Sequence, residues 1–346
     1  MSSKIGYAVV GLGIGRAHAD GVLSSERGEL VAVCDIDEKR LGKFKSEHPD
    51  VAAYPNIDEM LRDDRIEIVS ICVPSGLHAE LAVKALEAGR HVLVEKPIDI
   101  TVEAAMKIEE ARVRTGLKVG VIFQNRFNAC MEPVREAIDS GRLGRMILGT
   151  FAVKWYRDQK YYDAGGWRGT WEMDGGGSLM NQSIHTVDIM QWLMGEVDTV
   201  TSYAGIHNHN IDTEDLTASV IKFKSGAVAT FVSTTCAYPG ISTDIQLYGT
   251  GGSIEIDGDK IKLWKLVDGD EFEEEEMLEN YGGGGTPVGD PVKVRGHALQ
   301  VHDMIDAVYY DRDPLITPRE AIKSVAIVNA IYESARTGKP VAPKKV

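Results

Sequence analysis

The sequence predicts a doubly wound, parallel α/β domain followed by an α+β domain with a large, mostly antiparallel sheet. Three observations lead there. Short, continuously apolar strands alternate with helical segments through the first third, and a glycine-rich turn follows the first strand directly. Beyond Gln124 the chain changes to strand-rich stretches with hairpin punctuation. A length of 346 residues fits two domains, with the division expected between residues 1–123 and 124–346.

The first strand is Ile5–Val10, and helix-compatible residues run from Arg16 to Ser24. Leu30–Cys34 is a second strand and Asp37–His48 a second helix, with a short helical piece at Ile57–Arg62. Ile66–Val73 and His91–Val94 read as strands flanking Leu77–Ala88, whose apolar positions recur at helical spacing. Helix Val102–Thr115 and strand Val119–Phe123 complete the first domain.

In the second domain Met131–Ser140 is a helix. Strands are read at Met146–Trp155, Thr199–Gly205, Leu216–Phe223, Ala227–Thr234, Thr243–Tyr248, Gly252–Ile256 and Lys260–Leu266. Lys224-Ser225-Gly226 and Asp257-Gly258-Asp259 are hairpin turns. Ser183–Met194 reads as an amphipathic helix. The acidic run Asp268–Glu279 and the glycines Gly282–Gly285 read as an exposed edge and a mobile loop, before closing helices at Ala298–Tyr310 and Pro318–Thr337.

Composition narrows the function. Hydrophobic content of 43% with 26% charged residues is that of a globular protein. A net charge of −14 excludes nucleic acid as the main partner, since phosphate neutralisation needs clustered Lys and Arg. No apolar run approaches the roughly 20 residues that span a bilayer, and the start of the chain lacks a signal-peptide layout. The cysteines Cys34, Cys72, Cys130 and Cys236 form no CxxC pair and no metal-ligand spacing. A cytoplasmic protein without a metal or membrane partner is expected.

Gly11-Leu12-Gly13-Ile14-Gly15 sits between the first strand and a helix. Glycines there allow a tight turn and close approach to a pyrophosphate, which then meets the helix N-terminus. The third glycine comes one place earlier than in GxGxxG, where this chain has Arg16. Asp35 ends the second strand, 20 residues after Gly15. It reads as an acceptor for the ribose hydroxyls that repels a 2′-phosphate, or as a helix N-cap. The first reading makes this a Rossmann domain that binds NAD in preference to NADP.

Glu95-Lys96-Pro97 stands at the carboxyl end of the strand His91–Val94, where ligands of open α/β sheets bind. Lys96 there can polarise a substrate hydroxyl, the alternative being a surface lysine at a strand end. With the glycine turn, this motif resembles the glucose–fructose oxidoreductase, inositol dehydrogenase and rhizopine catabolism family, Gfo/Idh/MocA, over essentially the whole chain. Pro74-Ser75-Gly76-Leu77-His78 stands where the family has a Thr-Pro-x-x-x-His-type segment beside the cofactor. The resemblance thus implies Pro74, His78, Glu95 and Lys96 at the cofactor, beside Gly11, Gly13, Ile14, Gly15 and Asp35. It also implies a cis Lys96–Pro97 bond.

The stretch Gly175-Gly176-Gly177 to Asp188 places Asn181 and His185 four apart, on one helix face. The family often has Asp-x-x-x-His here, with His as acid/base. This chain has Asn181, which hydrogen-bonds but cannot take a proton. Asn at this place occurs in relatives that oxidise nucleotide-linked amino-sugar acids. His185 suits proton transfer near neutrality; Asp188 orients its ring or pairs on the helix surface. Arg126 and the aromatic and basic run Lys154, Trp155, Tyr156, Arg157, Tyr161, Tyr162, Trp167, Arg168 and Trp171 suit a sugar and its acidic groups, or a packed subunit interface.

The expected activity is NAD-dependent hydride transfer to or from a secondary hydroxyl of a sugar, cyclitol or sugar acid, the last with or without a linked nucleotide. Lys96 and His185 are its catalytic residues, and Asn181, Arg126, Tyr156, Trp167 and Arg168 bind substrate. The alternatives are a redox-neutral, NAD-using glycosidase or epimerase and a non-catalytic NAD-binding sensor. A homodimer or homotetramer through the second sheet is expected, since an antiparallel sheet packed on one side leaves a face to cover.

Overall fold

The computed structural model describes residues 4–241, 243–282 and 294–346. Contacts divide the chain into two units: Met1–Gln124 with Lys293–Ile322, and Asn125–Val292 with Lys323–Val346.

The first unit contains β1 (Ile5–Val10), α1 (Gly15–Leu23), β2 (Gly28–Cys34), α2 (Glu38–Glu47), β3 (Ala52–Tyr54) and α3 (Ile57–Met60). It continues with β4 (Ile68–Ile71), α4 (His78–Glu87), β5 (His91–Val94), α5 (Val102–Thr115) and β6 (Val119–Val121). All strands are parallel in the order β3-β2-β1-β4-β5-β6, which reverses direction between β1 and β4. Tyr7, Val9, Val33 and Ile68 are wholly buried along it. Local chemistry sets the helix ends. Asp37 caps α2 by accepting from Lys39 N and Arg40 N, and α5 stops at Gly116, whose φ of 71° is left-handed. β3 was not expected: three half-buried residues are too short to show a period.

The second unit contains α6 (Met131–Asp139), β7 (Met146–Lys154), α7 (Gln159–Asp163), α8 (Ile184–Met194), β8 (Val197–Gly205) and β9 (Leu216–Phe223). After them come β10 (Val228–Thr234), β11 (Thr243–Gly249), β12 (Gly252–Asp257), β13 (Lys260–Leu266) and α9 (Glu271–Tyr281). The seven strands lie in the order β13-β12-β11-β7-β10-β9-β8, antiparallel except for the parallel pair β7–β10. Side chains alternate as a one-sided sheet requires. In β9, Ile221 and Phe223 are buried while Val220 and Lys222 face outward.

Three sequence expectations change. The sequence predicts an amphipathic helix over Ser183–Met194, yet 10 of the 11 residues of α8 are buried, Asp188 and His185 included. The acidic run is a helix, not an edge or loop: Asp270 caps α9, while Arg142 and Lys265 pair with Glu273 and Glu274. Gly283–Gly285 lie outside the described residues. The helix expected in the second domain, α10 (Val294–Tyr309), packs on α1 in the first unit. Gly21 permits this, since a Cβ there would lie 3.1 Å from the Ala298 Cα. α11 (Pro318–Thr337) belongs to the second unit from Lys323 onward. Among the described residues no helix is long and apolar enough to cross a membrane.

Candidate active site

Three glycines build the turn after β1, each for its own reason. Gly11 has φ of 89°, and a Cβ there would meet the Cys72 carbonyl at 2.2 Å. Gly15 opens α1 so close to β1 that a Cβ would lie 2.7 Å from Val9 Cγ1. It supplies the strand–helix packing of a third glycine one place early, and Arg16 turns to Glu47 at 2.8 Å. Gly13 is exposed with open space around its Cβ position, and Ile14 beside it is partly exposed. Backbone is therefore accessible to a pyrophosphate at the start of α1.

Asp35, 6% exposed, accepts from Leu12 N (2.7 Å) and from Asp37 N (2.8 Å), one bond to each oxygen. It ties the glycine turn to the end of β2, and each oxygen keeps a lone pair for a ribose hydroxyl. The cap of α2 is Asp37, so the N-cap reading of Asp35 falls away. An accessible Gly13 and a carboxylate at the end of β2 fit a dinucleotide.

Around β5 the expected cis bond is present, and the neighbouring side chains are tied into the protein. Lys96 is half-buried and its bond to Pro97 is cis. Pro74, also half-buried, precedes the short turn leading into α4. His78 is 1% exposed and lies between the carbonyls of Pro97 (2.7 Å) and Val73 (2.9 Å). Glu95 is buried and accepts from His18 Nε2 (2.9 Å), His297 Nε2 (3.3 Å) and Lys96 N (3.1 Å). Both residues, expected at the cofactor, make these contacts within the protein and brace the Lys96 turn. His18 passes the network on to Ser70 (2.9 Å), which meets the Tyr7 hydroxyl (2.7 Å). Burial pushes the Glu95 carboxyl up, but the two histidine bonds outweigh it and hold it well below the usual carboxylate range.

Among the described residues two groups with metal-capable side chains arise that spacing along the chain does not show: His18, Glu95 and His297, and His209, Asp215 and Cys236. In both, the donor atoms hydrogen-bond one another.

In the second unit the glycines lead into a wide turn at Ser178–Gln182 and then α8. Asn181 donates to Asp174, a buried residue seven positions earlier, which also accepts from Gly169 N at 2.9 Å. Asp174 thus brings to this place the carboxylate that Asn181 lacks. Asn181 Oδ1 accepts from Gln182 Nε2 (2.6 Å) and the Tyr161 hydroxyl (3.4 Å). Gln182 in turn accepts from Arg157 (2.9 Å). His185 is 8% exposed in the first turn of α8.

Arg168 stacks 4.8 Å from the Tyr161 ring centre and 5.1 Å from that of Trp167, so these residues join the Asn181 group. Tyr156 belongs to another pair, edge-on against Tyr238. Arg126, expected to meet substrate, gives its fork to Asp188 instead (2.7 Å twice). Asp188 is therefore buried within α8 rather than on a helix surface, with its carboxylate held by Arg126 and Ser324. Asp174 and Gln182 were missed in the sequence; their proximity to the glycines and to Asn181 was the signal available.

A doubly wound, parallel nucleotide unit followed by a unit with a mixed seven-stranded sheet is the architecture of two-unit NAD-dependent dehydrogenases. The chain belongs to the GFO/IDH/MocA family. The oxidoreductase family, NAD-binding Rossmann fold, matches residues 5–123, and the GFO/IDH/MocA C-terminal domain matches residues 131–255. The WlbA dehydrogenase from Bordetella pertussis, solved with NADH and UDP-GlcNAcA, is 31% identical with a TM-score of 0.92, covering 100% of this chain and 99% of its own. The scyllo-inositol 2-dehydrogenase (NAD(+)) of Bacillus subtilis is 26% identical over 99% of this chain and 97% of its own. A 1-carboxy-3-chloro-3,4-dihydroxycyclohexa-1,5-diene dehydrogenase of Comamonas testosteroni is 34% identical over 60% of this chain. That match spans only 52% of the relative's length.

Proposed function

We propose that the protein oxidises a secondary hydroxyl of a sugar acid carried on a nucleotide, with NAD as hydride acceptor. The supporting observation is the pair of guanidinium groups on the Tyr161 ring, Arg157 at 5.3 Å and Arg168 at 4.8 Å. Among the described residues neither forms an ion pair with a carboxylate, and the buried Nε of Arg157 has no hydrogen-bond partner. In a chain of net charge −14, two such cations beside Asn181 and Gln182 suit an anionic ligand. The likeness to WlbA, whose UDP-GlcNAcA carries a carboxylate and a diphosphate, supports the same class.

The first unit is assigned to the dinucleotide, through Gly11, Gly13, Gly15 and Asp35, and the second to the substrate. When bound, NAD supplies the nicotinamide carbon that accepts hydride. Lys96 and His185 are assigned to removal of the hydroxyl proton. Asn181, held by Asp174, orients a neighbouring substrate oxygen without taking a proton. Trp167 and Tyr156 offer aromatic faces to sugar or base.

The test is NADH formation with UDP-linked N-acetylglucosaminuronic acid, the uncharged UDP-N-acetylglucosamine, free glucuronic acid and myo-inositol. The charged nucleotide sugar should exceed UDP-N-acetylglucosamine in kcat/KM by at least about tenfold, the value of one charge-assisted hydrogen bond. Equal rates for the two, or faster oxidation of inositol, remove the proposal.

We also infer that the protein works in the cytoplasm as a homodimer or homotetramer. Tyr203, Val220 and Leu148 lie exposed on the outer face of the seven-stranded sheet, where a second copy would cover them. A monomer by light scattering at micromolar concentration removes this assignment.

A further inference from the structure

We propose that Glu214, with Tyr332 beside it, is a positioning residue that clamps the turn carrying Asn181 and leading to His185. The catalytic part of this inference rests on the function proposed above.

The first residues of any helical turn have amide hydrogens without a partner inside the turn. Here four successive amides are taken by two residues distant in sequence. Gly177 N donates to Glu214 Oε2 (3.0 Å), Ser178 N to the Glu214 carbonyl (3.0 Å), Leu179 N to Glu214 Oε1 (2.7 Å) and Met180 N to the Tyr332 hydroxyl (3.2 Å). Only at Asn181, whose N bonds to the Gly177 carbonyl, does the turn begin to satisfy itself. The turn is also wide, with Ser183 N reaching the Ser178 carbonyl, a geometry common at functional sites.

The glycines explain how the clamp closes. A Cβ on Gly177 would lie 1.8 Å from the Glu214 carbonyl, and one on Gly176 would lie 2.0 Å from the Tyr332 hydroxyl. The backbone at both positions is bare because the clamping groups occupy that space. Glu214 is 4% exposed. Tyr332 from α11 hydrogen-bonds its carboxyl and Tyr162 from α7 interacts with its charge, while Asp174 and Asp215 act on Tyr332 and Tyr162 in turn.

Burial pushes the Glu214 carboxyl up to about 7, more strongly than the amide bonds lower it. A carboxyl raised above its value in the opened chain favours the closed state when protonated. That contribution is complete below the ordinary carboxylate range and declines as pH rises through 7. The clamp is therefore firmer at pH 6 than at pH 8.

Hydrogen exchange of the segment 175–183, followed by mass spectrometry and corrected for intrinsic rates, tests this without any substrate. In the wild type, protection should fall about tenfold between pH 6 and pH 8. Glu214→Gln should be less protected at pH 6 and should show no such change with pH. Tyr332→Phe, which removes the acceptor for Met180 N together with the hydroxyl's own bond to the Glu214 carboxyl, should speed exchange across residues 177–180, and it decides the matter if Glu214→Gln does not fold. Unchanged protection of residues 177–180 in the variants overturns the proposal. On the substrate found by the panel above, Glu214→Gln should lower kcat about tenfold while NAD affinity stays within twofold. A failed panel leaves the exchange result standing, whereas an active enzyme with unchanged exchange removes Glu214 alone.

Discussion

Arg126 and Asp188 form a two-pronged ion pair inside the second unit, with both hydrogen bonds at 2.7 Å and side chains only 8% and 1% exposed. Ser324 adds a bond to the same carboxylate at 3.3 Å, and the Trp192 ring lies 5.1 Å from the guanidinium. Asp188 is three residues beyond His185, so the pair holds the helix that presents the histidine. Burial pushes the Asp188 carboxyl up and Arg126 opposes it, which is the balance expected of a charge that depends on its partner.

Breaking that pair from one side should be costly. Arg126→Met should reduce stability by about 3–5 kcal/mol in urea unfolding, because it leaves a buried carboxylate alone. The double change Arg126→Met, Asp188→Leu should recover much of the loss. If the single variant is as stable as the wild type, the pair carries no such charge.

Cofactor choice should follow Asp35. Calorimetric titration should show NAD binding more tightly than NADP, and Asp35→Ala should shrink the difference. Because Asp35 also accepts from Leu12 N, the variant should bind NAD itself more weakly. Equal binding of the two cofactors by the wild type contradicts the assignment.

Turnover should separate the acid–base residues from the binding ones. Lys96→Ala and His185→Ala should each lower kcat by at least about 10², with NAD affinity nearly unchanged. Asn181→Ala should mainly raise the substrate KM, by the equivalent of about 0.5–1.5 kcal/mol for a neutral hydrogen bond. Near-normal turnover in His185→Ala would make that histidine structural and leave Lys96 as the base.

The thiols should be unreactive at ordinary pH. Burial pushes Cys236 up to about 11 and Cys34 up to about 12, and raises Cys72 well above the thiol range, so at pH 8 these groups are protonated. A chromogenic disulfide reagent at pH 8 should react slowly with the native protein and with all four cysteines once it is denatured. Rapid, stoichiometric labelling of Cys236 in the native state would contradict this.

What could be read from the sequence was local. β1, β5, α5 and α11 stand where apolar spacing and caps put them, because a strand period or an N-cap is written within a few residues. The places of the glycine turn, Asp35, Lys96 and His185 in the fold were legible for the same reason, each lying at the end of a strand or the start of a helix. What lay beyond reach were pairings across long separations. The sequence could not show that α10 returns to α1, that Asp174 meets Asn181, or that Arg126 turns to Asp188. Nor could it show that Glu95 lies between His18 and His297, or that Glu214 clamps the glycines. A buried polar group must find a partner wherever the fold brings one, and only the tertiary structure decides which residues those are.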